Sequence, residues 1–165
     1  MARVRRDQPL VPSVLDRLLN DNPESNYEPA ASRHQVLREL KVSVRRDLEN
    51  LLNTRIRCLS VPDDCKELSK NSLVNYGIPD ITGETLDSVQ DCEAFCKNLE
   101  KIIRRYEPRF QKVTVTPTQA TNAEDRTFHF RIDALLIAEP APEPIIFDSE
   151  LRPETGGFEV KEADA

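Results

Sequence analysis

Residues 88–116, SVQDCEAFCKNLEKIIRRYEPRFQKVTVT, decide the fold, because the spacing of apolar residues changes partway along them. Cys92, Phe95, Cys96, Leu99, Ile102, Ile103 and Tyr106 recur at three- and four-residue steps, which places them on one face of a helix. Ser88, with Asp91 three residues later, gives that helix a capping-box start. Pro108 ends it at Glu107, since the residue before a proline is pushed out of the helical region. Beyond Arg109 the period is two: Val113-Thr114-Val115-Thr116 reads as a short strand that Pro117 is expected to stop.

Upstream, Leu37, Leu40, Val44, Leu48 and Leu51 predict a second amphipathic helix from about Ser32 to Asn53, with Arg38, Lys41, Arg45 and Arg46 mostly off its apolar face. Residues 54–85 carry turn signals, among them Asn75-Tyr76-Gly77, which reads as a structural turn with Gly77 supplying a positive backbone angle. Residues 1–31 read as a flexible arm. It contains a short amphipathic helix, 13–19, whose stripe of Val14, Leu15, Leu18 and Leu19 is too short to stand alone. That helix docks either on its own domain or on a neighbour.

Downstream, Phe128, Phe130, Ile132 and Ala134 alternate with polar residues as a half-buried strand. Pro140, Pro142 and Pro144 exclude regular structure up to Glu143, Ile145 to Phe147 begin another strand, and Gly156-Gly157 returns the chain into Phe158-Glu159-Val160. The expected class is α+β: two long helices packed on a three- to four-stranded antiparallel sheet, with the short N-terminal docking helix beside them. The domain so read spans 32–160, and 161–165 is a charged tail.

A net charge of −6 argues against general nucleic-acid binding, which needs a basic surface. No apolar run approaches a membrane span, so a soluble chain is expected. The four cysteines lack the spacing of common zinc modules and read as reduced thiols; no metal and no cofactor is expected.

Asn75-Tyr76-Gly77-Ile78-Pro79-Asp80, then an amphipathic helix, then Glu107-Pro108-Arg109 leading into a Val-x-Val strand, resembles the phage baseplate wedge "lysozyme-like" family. Within it the likeness is to the type VI secretion branch. The segments Ser13 to Leu19 and Asp47-Leu48-Glu49-Asn50-Leu51-Leu52-Asn53-Thr54-Arg55 agree with it, whereas Cys58 to Lys70 is longer and more polar than the family's usual link. The resemblance implies a structural, non-enzymatic baseplate subunit of a contractile injection machine. It sits in the bacterial cytoplasm, in a baseplate at the inner face of the cell envelope, without membrane insertion. Its implied partners are the wedge subunits TssF, TssG and TssK and the sheath subunits TssB and TssC. Glu107, Pro108 and Arg109 would contact the wedge core. A strand through Ile145, Ile146 and Phe147 would face the sheath and template its first ring by strand addition.

Read from the residues, Glu107 lies at a helix end that already carries partial negative charge, and Arg109 is a planar fork suited to a carboxylate. Either Glu107 pairs internally, with Arg131 as the expected mate, or the corner meets a partner. Two enzymatic classes are weighed against these. Sugar-bond cleavage needs one carboxyl held protonated in an apolar pocket, and the chain offers 5% aromatic residues and no tryptophan for a sugar cleft. Nucleophilic catalysis finds no motif near His34 or His129. A third alternative is an adaptor that uses its N-terminal helix as a peptide ligand.

Overall fold

The computed structural model describes residues 18, 33–56, 62–65, 69, 72–80, 88–118, 127–138, 141–152 and 155–163. Helix α1 spans Arg33–Asn53, α2 spans Val89–Tyr106, and the strands are β1 Phe110–Thr118, β2 Phe128–Leu136, β3 Glu143–Arg152 and β4 Gly157–Glu162. Single 3-10 turns at Asp63–Cys65 and Leu73–Asn75 lie between the helices. The expected helix at 13–19 lies outside the described residues, save for Leu18.

The strands form one antiparallel meander in the order β1-β2-β3-β4. Period-two alternation turns Val113 and Val115, then Phe130 and Ile132, then Ile145 and Phe147, and finally Phe158 and Val160, to one face. There they meet Leu40, Val44, Leu48, Leu51 and Leu52 of α1 and Phe95, Cys96, Leu99 and Ile103 of α2 in a single core. Helix α2 lies against β1 and α1 against β4. Edge-to-face contacts, Phe95 to Phe128 at 5.6 Å and Phe130 to Phe158 at 6.0 Å, tie the second helix to the far strand through the middle of the sheet.

Both ends of α2 follow the sequence rules. Ser88 Oγ accepts a hydrogen bond from the Asp91 amide at 3.0 Å, and Glu107, the C-cap, has φ −115° and ψ 84°, outside the helical region as Pro108 requires.

Three expectations are corrected. Pro117 does not end β1, which continues to Thr118. β1 is the outermost strand, and a proline there can turn its missing donor away from the ladder. Next, β3 begins at Glu143 and includes Pro144, ahead of the expected start. The third concerns Ile145, Ile146 and Phe147, expected at a free, sheath-facing edge. They lie on an interior strand, paired with Ala134, Asp133 and Ile132 of β2. On the other side Phe147 pairs with Glu162 of β4, and the Ile146 carbonyl accepts from the Ala163 amide at 3.0 Å. A backbone shared between two neighbours has nothing left for a third strand.

The two outer margins differ. Along β4, α1 supplies the missing neighbour: the Asn53 side chain donates to the Phe158 carbonyl at 2.9 Å and accepts from the Phe158 amide at 2.8 Å. Arg45 Nη1 donates to the Val160 carbonyl at 3.4 Å, and Lys41 pairs with Glu162 at 3.6 Å. Along β1 the missing N–H of Pro117 faces outward, and by antiparallel alternation so do the backbone groups of Val113 and Val115. Arg104 donates to the Val113 carbonyl at 3.3 Å. No helix among the described residues is long and apolar enough to cross a membrane.

Candidate functional site

The junction of α2 and β1 is an ion-pair network beneath an open hollow. Glu107 is 5% exposed, so its carboxylate is turned inward. Oε1 accepts from Arg109 Nε at 2.6 Å and from the Arg109 amide at 3.2 Å, while Oε2 accepts from Nη2 at 2.5 Å. The same Nη2 donates to Asp47 Oδ2 at 2.6 Å, and Nη1 donates to Ser43 Oγ at 3.2 Å. Of the five N–H donors of a guanidinium, these contacts use four. Arg46 closes the other side of Asp47, at 3.2 Å from Oδ1. Burial acts against the charged form of Arg109, but the hydrogen bonds and charges of Glu107 and Asp47 outweigh it and raise the guanidinium above its ordinary value.

Glu107 therefore does pair internally, with Arg109 two residues away and not with Arg131. Arg131 instead bonds Asp148 across the exposed face of β2 and β3 at 2.8 Å. The Arg109 fork is likewise spent on this chain's own carboxylates. Pro108, at the tip, is exposed.

The Asn75-Tyr76-Gly77 segment builds the wall opposite. The Ile78 amide donates to the Thr54 carbonyl and the Ile56 amide to the Ile78 carbonyl, both at 2.9 Å, which stitches the segment to the end of α1. Gly77 has φ 113°, and a Cβ there would lie 2.4 Å from the Thr54 carbonyl oxygen, so only glycine fits. Tyr106 Oη donates to the Asn75 carbonyl at 2.6 Å, and the Tyr76 and Tyr106 rings meet edge to face at 5.3 Å. Burial pushes the Tyr76 phenol up, and Asp47 and Glu107 push it further.

The hollow encloses about 480 Å³. Leu48 and Leu51 line its apolar side with the two tyrosine rings, Pro108 forms a lip, and the Asp47–Arg109–Glu107 network supplies the polar side. Both carboxyls are turned onto one guanidinium rather than toward each other across a cleft, so the arrangement lacks the acid and base of a glycosidase.

Of the N-terminal stripe, Val14, Leu15 and Leu19 lie outside the described residues, and Leu18 is a helical residue 75% exposed. Sequence reasoning missed Ser43, Asp47, Asn53 and Arg55. Ser43 and Asp47 are four apart, one helical turn, beside the apolar stripe of α1; that spacing was the available signal. Arg55 donates to the Leu52 carbonyl at 2.9 Å and to the Gly156 carbonyl, with its guanidinium 5.8 Å from the centre of the Phe158 ring.

A meander covered on one face by two helices thus carries a self-paired ionic corner at the junction of α2 and β1. The profile described as "Baseplate wedge protein gp25" matches residues 38–141, and the chain belongs to that family, a structural component of baseplates. Among solved structures, one described as "The baseplate complex from the type VI secretion system" is 16% identical, with a TM-score of 0.47, over 78% of this chain and 97% of that one. No curated protein matches the chain.

Proposed function

We propose that this chain is a TssE-type subunit of a type VI secretion baseplate, docking on the wedge core through the corner at Glu107, Pro108 and Arg109. Family membership supports the baseplate role. The observation that carries the docking reading is the corner itself. An exposed proline rides on a half-buried, four-bonded guanidinium beside an open apolar hollow. A rigid lip of that kind loses little entropy when a partner closes over it. In this reading Glu107 and Arg109 hold the shape from below, and Pro108 with the hollow makes the contact. TssF and TssG are the partners proposed for it, with TssK adjacent, at the cytoplasmic face of the envelope. The arm of residues 1–31, with the stripe Val14, Leu15, Leu18 and Leu19, is a second docking element for the same assembly.

Templating of the TssB/TssC sheath by strand addition belongs to β1 rather than to Ile145–Phe147. Among the described residues, no strand pairs with the outer backbone groups of Val115 and Pro117 on β1, whereas β4 is occupied by Asn53 and Arg45.

The test is Pro108→Lys, which places on the lip a positive charge without touching the network beneath it. The variant is expected to melt within a few degrees of the parent and to lose co-purification with TssF and TssG. Undiminished co-purification would sink the docking reading.

A further inference from the structure

The geometry points to a basic side chain of the wedge partner, an arginine or lysine, as the occupant of the hollow beside Pro108, its aliphatic stem along Pro108 and the Tyr76 and Tyr106 rings and its charged head against Asp47.

This inference rests on the docking reading above and names the chemistry of the partner. The charged groups that line the hollow are Asp47, Glu107 and Arg109, two carboxylates against one guanidinium. The guanidinium is committed: it donates to Glu107, Asp47 and Ser43, so a partner carboxylate would find one N–H left on it. The remaining capacity at the polar side is for accepting one hydrogen bond: Asp47 Oδ1 takes two from Arg46 and Oδ2 one from Arg109, which leaves a lone pair on Oδ2 of a side chain 28% exposed against 6% for Glu107. Arg46 balances part of the Asp47 charge through Oδ1, but it does not line the hollow. The remaining surface suits the other half of such a side chain. Pro108 and the half-buried Tyr76 and Tyr106 rings offer apolar contact to methylenes. After burial, Asp47 and Glu107 are what raise the Tyr76 phenol, which places both carboxylates close to the ring. An acidic anchor would meet like charge, and a purely apolar one would leave the open site on Asp47 Oδ2 unused.

The test uses the full chain, labelled with ¹⁵N, and three probes: N-acetyl-arginine amide, its neutral isostere N-acetyl-citrulline amide, and N-acetyl-leucine amide. Saturable shifts of the Tyr76, Tyr106 and Arg109 amides are expected with the arginine probe, and binding about fivefold weaker with citrulline, the scale of one partly exposed ion pair. Asp47→Asn, which keeps an acceptor for Arg109, is expected to erase the difference between those two probes. Equal responses to arginine and citrulline, a response to leucine alone, or no saturable shift with any probe overturns the basic anchor. The comparison of probes on the unsubstituted chain stands even where Asp47→Asn fails to fold. Failure here is separable from failure of docking. A Pro108→Lys chain that loses TssF and TssG while the probes fail on the unsubstituted chain removes only the anchor. One that retains those partners removes the docking reading, and this inference with it.

Discussion

The corner residues carry different burdens. Glu107 is nearly buried, and its removal would leave Arg109 with Asp47 and Ser43 alone. Removing one partner of a buried ionic pair costs about 3 kcal/mol. Glu107→Ala is therefore expected to lower the unfolding free energy of the isolated chain by that order, read from its denaturant midpoint, while Pro108→Lys does not. A Glu107→Ala chain as stable as the parent would mean that the network contributes little. Cys96 offers a second handle at this scale. Burial first, then Cys92 and Glu93, push its thiol from 9.0 up to about 12. The folded state thus holds a proton that the unfolded chain releases near pH 9. Stability from this group is full below pH 9 and is lost as pH rises towards about 12. The denaturant midpoint should fall between pH 8.5 and 10.5, and by less in Cys96→Ala. In the same range iodoacetamide should modify exposed Cys65 well before Cys96, as read by mass spectrometry of the native chain.

At the scale of elements, the end of α1 is the organiser. Asp47 reaches the corner across 62 residues, and Asn53 reaches β4 across 105. Asn53→Ala would leave the Phe158 amide and carbonyl without their side-chain partners. A cost of about 1–2 kcal/mol is expected. Amide exchange at Phe158 should quicken while that of β2 does not; unchanged exchange at Phe158 would show that α1 is not what shields β4. The helices and strands were readable because their signals are local: the Ser88 cap, the proline-enforced stop at Glu107, and the switch from helical to alternating spacing beyond Arg109. Strand order was not, since nothing in Ile145–Phe147 tells an interior strand from an edge; both bury alternate side chains. Pro117 misled for a related reason. A proline stops a strand that is paired on both sides but not one with an open flank, and flanks are a property of the whole sheet. The corner was half legible. Glu107 and Arg109 were visible as a charged pair at a turn, but Ser43 and Asp47 join them only once α1 packs beside α2's end.

For the whole molecule, the difference between its two sheet margins is the feature that bears on assembly. When the chain is mixed with TssB and TssC, the Val113 and Val115 amides are expected to slow in hydrogen exchange by at least roughly tenfold, as amides entering a ladder do, while Phe158 is unchanged. Protection appearing at β4 instead would refute strand addition at β1. Asn53 gives this asymmetry a further meaning. By standing in for a strand beside Phe158, it leaves the sheet, among the described residues, with a valence of one. A unit of valence one can begin a row of strands but cannot be an interior link in it, and copies paired through that flank stop at two. The side chain of a single asparagine thus separates a starting block from a repeating brick.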